Sequence, residues 1–230
     1  MIRRSGALAL LLAAVACAPA LAKPTVPVNV RIEGKRDTLF EGRVLAPIHQ
    51  VDSGDGTGPH TCDGTNGGAN ATPGPTLLSA FDDAVHMAGR TWAGQYSTGF
   101  QDFTIDRVGP DSSDTKNGRY WGQVLNYKDT QLGGCQLQVK PGDQVLVAFN
   151  SFGRAKLRLS GPSHVTVGKP FTVTVTNGET GKPFEGALVR GGTTGPRGHV
   201  SVLIRKPGTH RFKARATDAI RSAALVVDAS

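Results

Sequence analysis

The chain has 230 residues, of which 30 are glycine and 14 are proline, a composition that favours β structure with many turns. Its net charge of +8 is uneven, because residues 23–150 hold 11 basic and 14 acidic residues whereas residues 154–230 hold 13 and 4. The aromatic residues Phe171, Phe184 and Phe212 of the basic part lie beside or inside apolar runs, so we expect them in the core and do not expect a nucleic-acid partner, whose bases need exposed aromatic residues to stack on.

The N-terminus has the pattern of an export signal. Two arginines precede the apolar run Ala7–Ala16, which is too short to span a bilayer as a mature helix, and Ala20-Leu21-Ala22 forms a small-x-small cleavage site. We therefore expect a mature chain that begins at Lys23, with no transmembrane segment, in a secreted or cell-envelope location. The alternative is a lipoprotein anchored at Cys17, although Ala14 stands where such signals usually have a large aliphatic residue.

The cysteine content of the exported chain predicts one disulfide bond. Removal of the signal leaves Cys62 and Cys135, an even pair outside the cytoplasm. Neither has a second cysteine nearby, and Cys135 has no histidine nearby, which argues against a metal site or a thiol nucleophile. The pair would close a loop of 73 residues, and a chain-entropy estimate for such a loop is about 4 kcal/mol.

The first predicted elements are a hairpin and a long loop. Alternating apolar residues predict strands over 26–32 and 38–44, with Gly34-Lys35-Arg36-Asp37 as the turn between them. Residues 51–75 are rich in glycine and have almost no large apolar residues, so we expect a loop that Cys62 holds in place.

A single helix follows this loop. Apolar residues recur at helical spacing from Leu77 to Trp92, Thr76 is the expected N-cap, and Gly94 is the expected end. We expect the apolar face to be part of the core. Phe103, Ile105 and Val108 then predict a further strand.

The segment Gly118–Phe149 contains three predicted strands: 120–125, a second run around Leu137 and Val139, and 144–149. Its order of features is Tyr-Trp, then Asn, then Gly-Gly, then Pro-Gly-Asp, then V-x-V-x-F. This order resembles the carboxy-terminal domain of transcobalamin and intrinsic factor and the uncharacterised bacterial domains related to it. The resemblance implies an α+β, β-grasp-like fold for residues 23–150.

The same resemblance implies ligand-contacting residues. Tyr120, Trp121, Asn126 and Tyr127 correspond to the strand and turn that help to cover a corrinoid in those carriers, although aromatic residues on strands are more often buried anchors. The chain lacks the helical barrel domain that forms the other half of their site. We therefore expect cobalamin to bind with a dissociation constant in the micromolar range or worse, roughly −8 kcal/mol at most.

The second half is predicted to be all-β. After a linker at 151–155, seven short strands between Gly, Pro and Asn turns fill residues 156–230. The tetrapeptide Gly-Lys-Pro-Phe occurs at Gly168–Phe171 and at Gly181–Phe184, and each copy leads a phenylalanine into an apolar run. This pattern resembles bacterial immunoglobulin-like modules and implies a β-sandwich.

Motifs of catalysis and metal binding are not found. The chain has neither G-x-S-x-G nor H-E-x-x-H, and its six histidines are never three or four residues apart. Asp82 and His86 would share one face of the helix, which predicts an ion pair and leaves a metal as the alternative. Asp52, Asp55 and Asp63 fall in the long loop but do not match a calcium-loop pattern.

These features predict a non-enzymatic secreted or cell-envelope protein that acts as a binding or adhesion module. The basic second half points to an anionic polymer of the envelope, or another surface protein, as the partner. No cofactor and no metal are expected. The alternatives are a carrier of a small, corrinoid-like molecule and an enzyme whose site carries no recognised motif.

Overall fold

Strands dominate the computed structural model of the protein, which describes residues 25–230. The predicted cleavage site and Cys17 lie outside the described residues. Over 25–230, no helix combines the length and the apolar character needed to cross a bilayer.

The N-terminal region, residues 25–150, contains twelve strands, one α-helix and two short 3-10 helices. The strands are β1 (Val26–Glu33), β2 (Thr38–Ala46), β3 (His49–Val51), β4 (His60–Cys62), β5 (Trp92–Ala93), β6 (Tyr96–Ser97), β7 (Asp102–Phe103), β8 (Arg107–Val108), β9 (Asp111–Ser112), β10 (Trp121–Leu125), β11 (Lys128–Asp129) and β12 (Gln144–Phe149). The helix is α1 (Leu77–Met87), and the 3-10 helices are Asn66–Gly68 and Thr115–Asn117. The strand predicted around Phe103 and Val108 is thus divided between β7 and β8.

The main sheet has the strand order β11-β10-β12-β1-β2. β1 and β12 lie side by side and parallel in its centre, and the remaining neighbours are antiparallel. The hairpin of β1 and β2 forms as predicted, and its turn is closed by a hydrogen bond from the Gly34 amide to the Asp37 carbonyl.

The helix begins as predicted but ends earlier. The Thr76 side chain accepts from the Ser79 amide and the Ser79 hydroxyl from the Thr76 amide, a capping box that fixes the N-terminus. At the other end Gly89 has a φ of 63°, and the chain turns away there. The prediction that the helix reaches Trp92 and stops at Gly94 is therefore wrong. Trp92 lies on β5, where its ring still packs edge-on against Phe81.

The predicted strand at Leu137 and Val139 is also wrong. This segment is extended, but it pairs with the residues at the start of α1: the Leu77 amide donates to the Leu137 carbonyl and the Val139 amide to the Pro75 carbonyl. Among residues 25–230, no strand of the main sheet lies beside it. Its alternation of apolar and polar residues therefore reflects partial burial of the side chains and not strand pairing.

The predicted disulfide between Cys62 and Cys135 is confirmed. Cys62 lies on β4, which pairs with β3, so the long loop is not entirely without regular structure. Both cysteines are fully buried in the N-terminal core, and the bond connects this loop to the segment that precedes Leu137.

The C-terminal region, residues 155–230, consists of strands alone. They are β13 (Ala155–Ser160), β14 (His164–Val165), β15 (Phe171–Asn177), β16 (Leu188–Val189), β17 (Gly192–Thr193), β18 (His199–Val202), β19 (Gly208–Phe212), β20 (Ala219–Ile220) and β21 (Leu225–Ala229). A four-stranded sheet of order β18-β15-β13-β20 and a three-stranded sheet of order β14-β21-β19 account for most of them. Phe212 is buried between them, and Phe171 and Phe184 pack against the same core.

The outer face of the main sheet packs against the C-terminal region. Along β12, Val145 and Val147 point into the N-terminal core, whereas Leu146 and Ala148 contact a small cluster that includes Ile220. A strand that is covered on both faces reads as a continuous apolar run rather than an alternating one, which explains the sequence of β12.

Buried charges join the two regions beside this contact. Glu33 is 2% exposed and accepts from Lys213 Nζ at 2.8 Å and from Arg221 Nε at 2.7 Å. Lys213 also contacts Glu41 at 2.7 Å. Burial pushes the pKa of Glu41 upwards, but hydrogen bonds from Lys213 and Ala224 outweigh it, and the pKa is lowered. Because buried charges are costly unless paired, separating the two regions would leave the charge of Glu33 without its partners Lys213 and Arg221.

Candidate functional site

A cleft of about 810 Å³ lies between the two regions. The β1–β2 turn and the end of β12 form one wall. The loops around Gly186–Leu188 and Arg215–Arg221 form the other. Clefts between domains are common ligand sites, because two independent surfaces can enclose one molecule.

The cleft is strongly basic. Its cationic lining residues are Lys35, Arg36, Arg119, Arg154, Arg215 and Arg221, and its anionic ones are Glu33 and Asp114. Two of the cations already have partners: Arg221 pairs with Glu33, and Arg154 donates to the backbone carbonyls of Asn150, Thr217 and Ala219. These two therefore maintain the shape of the cleft.

The other four cations are available to a ligand. Within residues 25–230, no carboxylate lies within 4.0 Å of the side-chain nitrogens of Lys35, Arg36, Arg119 or Arg215, and all four residues are exposed. Positive charges grouped in a cleft raise the local concentration of anions and speed their association.

An aromatic ring positions one of these cations. Lys35 Nζ lies 4.9 Å from the centre of the Phe149 ring, a cation–π distance. The Lys35 amide also donates to Asp111 Oδ2 at 2.9 Å, which fixes the turn on which this lysine lies. Phe149 and the partly exposed Leu188 add apolar surface to the lining. The cleft can thus contact both the charged and the apolar parts of a ligand.

The sequence does not predict this cleft. Lys35 and Arg36 are predicted only as residues of the turn of the first hairpin, and the excess of positive charge is predicted for the second half in general. Two consecutive cations in a tight hairpin turn were the available signal, since such a turn projects both side chains from the sheet. The contributions of Arg119 and Arg215 depend on how the two regions pack.

The four residues suggested by the transcobalamin resemblance do not converge on one pocket. Trp121 is 5% exposed and packs edge-on against Phe149, so it lies in the core. Tyr120 is 46% exposed and lies next to it in sequence. Tyr127 lines a second cleft of about 470 Å³, beside the C-terminal region.

Asn126 has a structural position in the hairpin turn between β10 and β11. Its φ is 51°, its Nδ2 donates to Asp143 Oδ1 at 2.9 Å, and its Oδ1 accepts from the Gln144 amide at 2.9 Å. Asparagine is one of the few residues that tolerate this left-handed conformation, which accounts for its presence here. Ligand contacts by these four residues remain a prediction.

Histidines and aspartates meet on the opposite side of the N-terminal region. His86 Nδ1 lies 3.7 Å from Asp82 Oδ2, one helical turn away, as the sequence predicted. His49, from β3, joins them at 3.5 Å from Asp83 and 3.9 Å from Asp82. Burial raises the pKa of Asp83, and the adjacent charge of Asp82 acts in the same direction.

The aspartates of the long loop are occupied by their own turns. Asp52 accepts from the Gly54 amide, and Asp63 accepts from the Thr65 amide and hydroxyl. The pKa of Asp55 is lowered to about 2, first by the hydroxyl of Thr57. Apart from the Tyr96 amide, which donates to Asp55 Oδ2 at 3.0 Å, these donors form turns, and the three carboxylates have separate partners.

No protein-family model matches the chain, and no curated protein matches it significantly. The functional assignment therefore depends on the residues of this chain, and the basic cleft between the two regions is its most distinctive feature.

Proposed function

We propose that this protein is an exported, non-enzymatic binding module that holds an anionic polymer of the cell envelope in the cleft between its two regions. The observation that carries the proposal is the group of four cations, Lys35, Arg36, Arg119 and Arg215, that line the cleft and have no carboxylate partner among residues 25–230.

An extended polyanion suits this arrangement better than a single small anion. The cations are distributed over both walls, and each long, exposed side chain contributes a weak contact, roughly 0.2–1 kcal/mol. A polymer that presents several negative groups can engage many of them together, so the weak contacts accumulate in one complex.

The internal bonds of the cleft support a binding rather than a catalytic role. Arg154 and Arg221 are engaged by backbone carbonyls and by Glu33, and Glu33 is saturated by cations. A general base needs a free lone pair at the reacting atom, and this carboxylate has its lone pairs occupied.

We also infer a β-grasp-like fold for the N-terminal region and an immunoglobulin-like β-sandwich for the C-terminal region. The first inference is supported by the hairpin–helix–hairpin order and by the parallel central pair of β1 and β12. The two facing sheets around Phe212 support the second. Kinship with the transcobalamin-type domain, which the order of features in Gly118–Phe149 suggests, is part of this proposal.

An exported location completes the proposal. The buried disulfide between Cys62 and Cys135 favours an oxidising compartment, and the N-terminal arginines and apolar run have the pattern of a signal segment. Anionic polymers are accessible to a protein in that location.

The proposal is tested by measuring how the mature protein binds linear polyphosphate and polygalacturonate. Dextran, which is neutral, is the reference polymer. The double variant Arg119→Gln/Arg215→Gln should weaken polyanion binding about tenfold, because two exposed ionic contacts together amount to roughly 1.4 kcal/mol. Affinity should also fall as salt rises from about 0.05 to 0.3 M, because screening shortens the reach of each charge.

The matched control is Arg197→Gln/Arg205→Gln. Both are exposed arginines of the C-terminal region that do not line the cleft, so the net charge changes equally while the cleft is unchanged. If both double variants weaken binding to the same extent, the positive surface acts diffusely and the cleft is not the site. Absence of binding to either polyanion would refute the proposed partner.

A further inference from the structure

We propose that His49, Asp82 and Asp83 form a binding site for one divalent transition-metal ion of the zinc type, independent of the basic cleft. The site connects β3 to α1. The imidazole nitrogen and the two carboxylate oxygens come within 4.8 Å of one another. His49 is 33 positions before Asp82 and 34 positions before Asp83, so no local motif contains all three.

The spacing of the three groups matches ligands of a common ion rather than direct hydrogen bonds. His49 Nε2 lies 3.5 Å from Asp83 Oδ1 and 3.9 Å from Asp82 Oδ2. Direct nitrogen–oxygen hydrogen bonds have distances of about 2.7–3.2 Å. Two ligands about 2.1 Å from a tetrahedral zinc ion are roughly 3.4 Å apart.

The hydrogen bond at the other ring nitrogen sets the tautomer of His49. Nδ1 lies 2.7 Å from the Gln50 carbonyl oxygen, which can only accept, so Nδ1 carries the proton. In the neutral ring Nε2 then has a free lone pair. This is the arrangement by which proteins orient metal-binding histidines, with a backbone carbonyl on one nitrogen and the ion on the other.

The surroundings of Nε2 consist of oxygen acceptors. Besides the two carboxylates, the Ser79 carbonyl oxygen lies 3.5 Å away. A lone pair that faces three acceptors is repelled by all of them, and a cation placed between the groups reverses the sign of each interaction. A coordinated ion therefore satisfies Nε2 and both carboxylates at once.

The Asp82 carboxylate also has an orientation that suits metal binding. The residue is 4% exposed, and its Oδ1 accepts from Trp92 Nε1 at 2.6 Å. Its Oδ2 accepts no hydrogen bond from any residue in the range 25–230 and points towards His49 and His86, at 3.9 and 3.7 Å. The Trp92 bond prevents the carboxylate from turning away from this position.

The donor set selects the class of ion. Imidazole nitrogen suits zinc, copper, nickel and iron, whereas calcium and magnesium prefer oxygen ligands only. His49 and Asp83 are partly exposed, with side-chain exposures of 25% and 31%, so solvent reaches the site and water can complete the coordination. His86 is more exposed, at 60%, and is adjacent to Asp82 without belonging to the set of three.

Titration of the mature, tag-free and chelator-treated protein with Zn²⁺ alone tests this site. We expect one ion per chain with micromolar or tighter affinity, and no competition from a thousandfold excess of Ca²⁺. Co²⁺ should give visible absorption bands of four- or five-coordinate geometry. Zinc should also raise the unfolding temperature, because an ion that binds only the folded chain stabilises it.

Variants identify the ligands. His49→Ala and Asp83→Asn, at partly exposed positions, should each weaken Zn²⁺ at least tenfold, while His164→Ala, an exposed histidine of the C-terminal region, should leave it unchanged. His86→Ala should have a smaller effect than His49→Ala. Circular dichroism of each variant verifies its fold.

Several outcomes would overturn the assignment. These are the absence of saturable binding at 1:1 below about 100 µM, equal affinities in wild type and His49→Ala, or a larger loss in His86→Ala than in His49→Ala.

Discussion

Replacing Glu33 with glutamine removes the buried negative charge that joins the two regions of the chain. The carboxylate is 2% exposed and accepts from Lys213 and Arg221, both on the C-terminal side of the contact. Arg31, also buried, lies 3.7 Å away. Burial lowers the pKa of Arg31, and the charge of Glu33 opposes that effect. Glutamine has nearly the same shape, so the substitution changes charge while the packing is retained.

The expected loss is about 3 kcal/mol in the free energy of unfolding. Two charge-assisted hydrogen bonds, at 2.8 and 2.7 Å, are worth roughly 1.5–3 kcal/mol each. Two effects reduce the summed loss in stability. Lys213 keeps its ion pair with Glu41 at 2.7 Å, and the glutamine oxygen can still accept one hydrogen bond. The net loss in the free energy of unfolding therefore lies at the lower end of the roughly 3–5 kcal/mol that removal of one partner of a buried ion pair costs.

Urea unfolding followed by two probes measures this loss and locates it. Both tryptophans of the chain, Trp92 and Trp121, lie in the N-terminal region, so their fluorescence reports that region, whereas far-ultraviolet circular dichroism reports both. In the wild type the two curves should coincide, because the buried contacts couple the regions. In Glu33→Gln the curves should separate.

Glu179→Gln is the matched control, because Glu179 is exposed and has no ion pair within the described residues. Surface substitutions of this kind change stability by no more than about 0.5 kcal/mol. If Glu33→Gln costs less than about 1 kcal/mol, the assignment of a buried, coupling charge to Glu33 is refuted.

Three further predictions concern the disulfide, a buried carboxyl group and cobalamin. Alkylation in denaturant without reductant should leave Cys62 and Cys135 unlabelled, and replacing both by alanine should cost up to about 4 kcal/mol; two labelled thiols would contradict the bond. Burial raises the pKa of Asp102 to about 6, against the lowering effect of backbone amides from Phe103 and Cys135. A raised pKa means that its contribution to stability is present below about pH 3.9 and is lost as the pH rises through 6, by up to roughly 2–3 kcal/mol. Unfolding measured from pH 4 to 7 should therefore show this decline in the wild type and lose it in Asp102→Asn; superimposable profiles would disprove the shift. Cobalamin titrated by absorbance should bind with micromolar affinity or worse, and nanomolar binding would favour the carrier hypothesis.

Local patterns in the sequence predicted most of the regular elements. The turn of the β1–β2 hairpin and the start of α1 at Thr76 depend on residues within four positions of one another, so their signals are visible in the chain itself. The end of α1 was missed because two glycines, Gly89 and Gly94, could each terminate it. The hydrogen bonds that selected Gly89 belong to the folded turn.

At Leu137 and Val139, the alternation of apolar and polar residues was not sufficient to predict a strand. The same two-residue period occurs in a strand of a sheet and in an extended segment that packs against a helix terminus. Only the partner distinguishes them, and that partner, Pro75–Leu77, lies about 60 positions earlier in the chain.

The sequence by itself determined the class of elements, the cysteine pair and the uneven charge, because each depends on composition or on near neighbours. The tertiary structure determined which charged residues lie next to one another. It placed Lys35 and Arg36 opposite Arg215, paired Glu33 with Arg221, and brought His49 next to Asp82. These contacts join positions far apart in the chain, and their geometry depends on the packing of whole sheets and helices, which no local spacing encodes.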